Sequence, residues 1–150
     1  MDLARRARTC LIALAAAGSV AAAPSAYPPL TSAGFGGVKI GMRERDAVRV
    51  LGLKTPHDDI SSFECRELTW PGHPEVAFMA RNGRISRISL YGKSPLNTDR
   101  GFSVGSREAD IKRAYGPGLK IEPHAYEDEP AHYLTFWDPG GKRGVRYETS

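Results

Sequence analysis

The chain has 150 residues, 41% of them hydrophobic, with 21 Lys and Arg against 17 Asp and Glu and a formal net charge of +4. That length holds one modest domain or two very small ones sharing a core, and no basic cluster rises above an ordinary solvated surface, so nucleic acid is not an expected partner. The basic excess is concentrated at the start: residues 23–150 carry 18 basic and 16 acidic side chains, a net of about +2.

Residues 1–22 read as a signal peptide. Arg5, Arg6 and Arg8 precede an apolar run from Cys10 to Ala23, broken only by Gly18 and Ser19 and too short to span a bilayer. Val20, Ala21 and Ala22 supply the small residues that cleavage needs, and Pro24 disfavours a cut one residue later. The expectation is Sec export to the periplasm or the medium, with no stable membrane anchor because Cys10 lacks a lipidation context. Cleavage leaves Cys65 as an unpaired thiol, expected to be buried and inert unless it bonds another chain. Residues 23–33 are expected as a flexible arm. Gly34, Gly36 and Gly37 around Phe35 would turn that arm into a short strand at 38–40; the Lys-Ser/Thr of a phosphate loop is absent.

Residues 41–52 match residues 105–116 at a constant offset of 64. Gly41, Arg43, Glu44, Asp46, Arg49 and Gly52 recur as Gly105, Arg107, Glu108, Asp110, Arg113 and Gly116. Ala47, Val50 and Leu51 answer Ile111, Ala114 and Tyr115, the spacing of one buried helix stripe. Each segment therefore predicts a short amphipathic helix, with acids at the positive end of its dipole and a closing glycine able to turn left-handed. The match continues with small insertions: Leu53, Lys54 and His57 answer Leu119, Lys120 and His124, Leu68 to Gly72 answers Leu134 to Gly140, and 76–80 answers 145–149.

In the first copy, 62–70 and 76–81 read as strands. Asn82-Gly83 is a tight hairpin signal leading into a third strand, 84–91, with Ile88 and Leu90 on one face and Arg87 and Ser89 on the other. Residues 92–99 read as a linker, and 102–104 as a strand leading into the second copy. The second copy has no counterpart of the Asn-Gly turn and third strand, so it is expected one strand short with an open sheet edge. The predicted fold class is α+β: two tandem repeats, 34–91 and 100–150, each a short helix followed by an antiparallel three-strand meander. The helices lie on one face of the sheet, and both repeats form one compact domain, since a unit this short cannot bury its own hydrophobic face.

This doubled order of glycine entry, short helix, closing glycine and antiparallel meander after a signal peptide resembles the beta-lactamase-inhibitor-protein-like fold, whose single-copy relatives are the SmpA/OmlA-type lipoproteins of outer-membrane protein assembly. The resemblance rests on 41–52, 105–116 and the strand pattern. It implies a small exported protein that binds other proteins through an exposed sheet face and its loops, and that is not an enzyme. The chain departs from the inhibitor in having no cysteine pair in either repeat, and from the lipoproteins in having no lipidation cysteine. No inhibitory motif is matched.

The candidate partner-binding residues are the aromatics late in each repeat, Trp70 with Phe78 and Trp137 with Tyr147, together with Tyr133 and His132. The competing reading places the tryptophans in the core between sheet and helices. His57-Asp58-Asp59, and His124 with Glu127-Asp128-Glu129, bring imidazole near carboxylate, but nothing fixes a third ligand and both read as acidic surface loops. No nucleophile-and-base signature is present, so neither catalytic residues, a metal nor a cofactor is expected. The expected function is that of a non-enzymatic protein-binding module of the bacterial cell envelope, one form of which is inhibition of an extracytoplasmic enzyme; the alternative is a structural accessory of outer-membrane or cell-wall assembly.

Overall fold

The computed structural model describes residues 26–55 and 64–150. The signal-peptide reading, His57, Asp58 and Asp59, and the first residues of the strand expected at 62–70 lie outside the described residues. Along the chain run β1 (Gly34–Phe35), β2 (Val38–Lys39), α1 (Glu44–Leu51), β3 (Cys65–Trp70), β4 (His73–Arg81), β5 (Arg84–Leu90), α2 (Glu108–Tyr115), a 3-10 turn (Gly116–Gly118), β6 (Leu119–Pro123), β7 (His132–Trp137) and β8 (Gly144–Glu148). The architecture is α+β. All strand pairs are antiparallel, in one small hairpin and two separate meanders of order β3-β4-β5 and β6-β7-β8.

Gly34 sets the entry to the fold. Its φ is 145°, and a Cβ there would stand 2.0 Å from the Val38 carbonyl oxygen, so only glycine lets β1 and β2 close on each other. Helix α1 starts without a side-chain cap; the Gly83 carbonyl of the Asn82-Gly83 turn accepts from Glu44 N–H at 2.9 Å instead. Gly52 ends the helix in the left-handed conformation, φ 64° and ψ 33°. Gly116 closes α2 differently, at φ 56° and ψ −142°, because the chain goes straight into the 3-10 turn around Pro117.

Two bulges explain where β4 and β5 depart from strict alternation. Thr69 pairs with Ala77 but Trp70 with His73, a jump that leaves Pro74 with no ladder bond to give to β3 and allows β4 to begin three residues earlier than expected. Met79 pairs with Arg87 but Ala80 with Ile85, so Ile85 and Ile88 both reach the core from one strand.

Each meander buries its own cluster beneath its own helix. Ala47 packs with Leu68, Val76, Phe78, Ala80 and Ile85 in the first; Ile111 and Tyr115 pack with Leu119 and Leu134 in the second. The described residues share no sheet between the two units. Within the expected linker, 92–99, the chain packs: Ser94, Leu96 and Thr98 are buried, and Leu96, 0% exposed, belongs to the first core. Alternation of these three inward residues with Pro95 and Asn97 hid the segment behind a loop-like composition. The arm is likewise tied down from Tyr27 onward. Tyr27 meets the Trp70 ring edge-on at 5.7 Å, and Leu30 N–H donates to Asn97 O at 2.9 Å.

Three further expectations are corrected. Residues 102–104 form no strand; Ser103 N–H bonds the Ser106 hydroxyl at 2.9 Å and the chain turns there. The second unit is not a strand short: nothing answers β5, but β6 is a full strand where the first unit has only the Lys54–Thr69 bridge. Cys65 is exposed, not buried, at the start of β3, with its sulfur 3.2 Å from that of Met79.

Because Leu96 is core and not tether, Leu96→Ala is expected to cost about 2–4 kcal/mol in a urea unfolding experiment. A change within about 0.5 kcal/mol, the usual surface response, would mean that the segment does not pack as described.

Candidate functional site

The six aromatic and histidine candidates do not share a surface. Phe78 is 0% exposed and Tyr147 packs on the second core with its hydroxyl 2.9 Å from that of Tyr115 and donating to Thr98 Oγ1 at 3.1 Å. Burial, with the Tyr147 bond adding to it, pushes the Tyr115 hydroxyl well above its ordinary value. Trp70 faces the first core, stacked on His73 at 3.9 Å and edge-on to Phe35 at 5.5 Å. Phe78, Tyr147 and Trp70 therefore stabilise the units and are withdrawn from a binding role. Their recurrence marks two equivalent cores.

Trp137 differs for a reason of register. Leu68↔Phe78 and Leu134↔Tyr147 are matching pairs, which makes Phe136 the counterpart of Trp70, and Trp137 follows one position later on the other face of its strand. It is 47% exposed. Its pairing partner is Gly144, where a Cβ would stand 3.2 Å from the indole, so glycine lets the ring lie close against β8.

Tyr133, Thr135 and Trp137 line the face of β7 turned away from α2. Tyr133 has the His124 ring at 4.4 Å and the Arg146 guanidinium at 4.8 Å from its centroid. Arg146 also donates from Nε to Thr135 Oγ1 at 3.0 Å, and Thr135 is only 3% exposed. Lys120 pairs with Glu122 at 2.8 Å on the adjoining strand, holding the Glu122 carboxyl below its ordinary value. The result is a braced outer face with two aromatics on a polar frame, a composition suited to contact area at small entropic cost. Arg146 and Lys120 were not among the residues singled out from sequence; their alternation with Tyr147 and Ile121 is the signal that places them there.

His132 points to the opposite, helix-covered face. Its Nδ1 lies 3.2 Å from Glu108 Oε2 and its Nε2 lies 3.4 Å from Glu129. Glu108 also pairs with Lys112 one turn on and accepts from the Thr149 hydroxyl at 2.9 Å. The Lys112 ammonium, aided by Thr149 and His132 and opposed by partial burial, holds the Glu108 carboxyl down from an ordinary 4.5 to about 2. Thr149 Oγ1 is itself occupied, accepting from His132 N–H at 3.0 Å. The group cross-links helix and sheet, and His132 acts within it. Glu44 makes the corresponding contact in the first unit, to Arg66 at 3.1 Å. Among the described residues no three of His, Cys, Asp and Glu are grouped to hold a metal.

No family model, curated protein or solved structure matches the chain.

A carboxyl with a depressed folded pKa stabilises fully above its unfolded value and loses that effect as pH falls through the folded one. The stability gap between wild type and Glu108→Gln is therefore expected to be full above pH 4.5 and to fade toward about pH 2 in thermal unfolding. A gap that does not change across that window would remove the carboxylate from this account.

Proposed function

We propose that this chain is an exported, non-enzymatic module that binds another protein through the outer face of the β6-β7-β8 sheet, with Trp137 and Tyr133 as its anchors. The observation that carries this reading is that a half-exposed tryptophan and a braced tyrosine share a sheet face that no helix among the described residues covers. Aromatics held in place on such a face lose little freedom on binding, which is how interface anchors act. Export rests on Arg5, Arg6, Arg8 and the apolar run to Ala23. Binding without catalysis is supported by the occupied partners of Thr149, His132 and Glu108, which leave that cluster a structural cross-link.

We also infer that the two units descend from one. Lys54↔Thr69 and Lys120↔Thr135 bridge at the same separation, Thr69↔Ala77 and Thr135↔Arg146 continue the match, and Glu44–Arg66 repeats as Glu108–His132. A duplicated helix-and-meander unit is what the resemblance to beta-lactamase-inhibitor-protein-like and SmpA/OmlA-type proteins implies.

Capture from a cell-envelope extract on the immobilised exported chain tests the reading. Trp137→Ala is expected to weaken the captured protein's affinity about 30-fold, and Tyr133→Ala by less, with unfolding unchanged. A soluble hydrolase in the bound fraction would identify an inhibitor, and a membrane assembly a structural accessory. An unchanged bound fraction from folded Trp137→Ala would refute the outer face as the binding surface.

A further inference from the structure

The first unit carries an unassigned pocket where the start of α1 meets the β4-β5 turn. It is a shallow depression of about 590 Å³, open to solvent and lined by Arg43, Glu44, Arg45, Asn82, Gly83 and Arg84 among others. Arg43 and Arg84 stand directly opposite one another in an antiparallel bridge, a placement that sets like charges side by side. Neither has a carboxylate partner among the described residues, and the one hydrogen bond of the Arg84 guanidinium goes to the Gly41 carbonyl at 2.9 Å. Glu44 lines the same pocket, but its charge is met by Arg66 at 3.1 Å, and Arg45 lies 4.0 Å from Asp46. Pairing these leaves Arg43 and Arg84, a surplus of two positive charges, with the positive end of an eight-residue helix beside them.

We propose that this pocket binds a phosphate monoester, held between the Arg43 and Arg84 guanidinium groups. The dianion matches the surplus charge, which a single carboxylate or a phosphodiester would only half neutralise. Two planar guanidinium groups offer paired N–H donors to its oxygens, the geometry in which arginine exceeds lysine. An anion between the two arginines also removes the repulsion that their direct opposition creates in its absence.

The full chain is titrated with glycerol 3-phosphate, followed by the amide and guanidinium resonances of residues 43–45 and 82–84, at constant ionic strength. Acetate and dimethyl phosphate serve as monoanion controls, and phosphatidic acid in phosphatidylcholine vesicles presents the same monoester on a membrane. Saturable shifts with glycerol 3-phosphate, at least tenfold tighter than with either monoanion, are expected. Arg43→Gln and Arg84→Gln should each weaken binding about tenfold, whereas Lys142→Gln, on a distant hairpin loop, should not. Response to both monoesters identifies a site open to free and lipid-borne phosphate, and response to vesicles alone a lipid-borne one, provided the two arginine variants weaken it. A thermal arm guards against misfolding: in phosphate-free buffer Arg43→Gln should melt no lower than wild type, and glycerol 3-phosphate should raise the melting temperature of wild type more than that of either arginine variant. Equal response to acetate, or binding indifferent to both arginine variants, would overturn the proposal.

Discussion

A helix of eight residues has too few hydrogen bonds to persist in water, so something outside it must hold it to the sheet. In both units the first-turn glutamate does so by bonding a basic side chain on a strand, Glu44 to Arg66 and Glu108 to His132. Neither helix has a side-chain N-cap, and these contacts fix the first turn where a serine or aspartate cap would otherwise act. The apolar stripe of each helix then lands on its sheet: Ala47 over Leu68 and Phe78, Ile111 and Tyr115 over Leu134. Most of the stabilisation comes from that burial, and the charged contact sets which residues are buried.

The same constraint decides which surfaces are left for other molecules. Once each helix is committed to one face of its meander, no helix among the described residues covers the second face, and in the second unit it carries Tyr133, Trp137, Arg146 and Lys120. In the first unit the corresponding face is plainer, with Cys65, Glu67 and Met79 across β3 and β4. The first unit's distinctive chemistry lies instead at its helix start, where Gly83 receives the Glu44 amide and Arg43 bridges Arg84. Two units of one plan thus present different chemistry to solvent.

Sequence patterning located both helices, the Asn82-Gly83 turn and most strands, because glycine brackets and apolar spacing act over a few residues and suffer no competition from elsewhere in the chain. What it missed depended on contacts between distant segments. Leu96 sits between Pro95 and Asn97, and only the N-terminal arm crossing at Leu30 makes its burial possible. Recurrence of large aromatics late in each copy reflected equal cores at Phe78 and Tyr147, while the one-residue insertion that turns Trp137 outward changes its face without changing its composition. Glu44 and Glu108 were already aligned; carrying the Leu68–Leu134 match back two residues sets Arg66 against His132, and pairing those two correspondences would have found the helix-to-strand contact.

The Glu108–His132 contact can be isolated by a double-mutant cycle of Glu108→Gln and His132→Gln, read by urea unfolding near neutral pH. If the first-turn carboxylate holds the helix through the strand imidazole, the two substitutions are non-additive by about 1 kcal/mol. Additivity within about 0.3 kcal/mol would contradict it, leaving apolar packing alone to position α2.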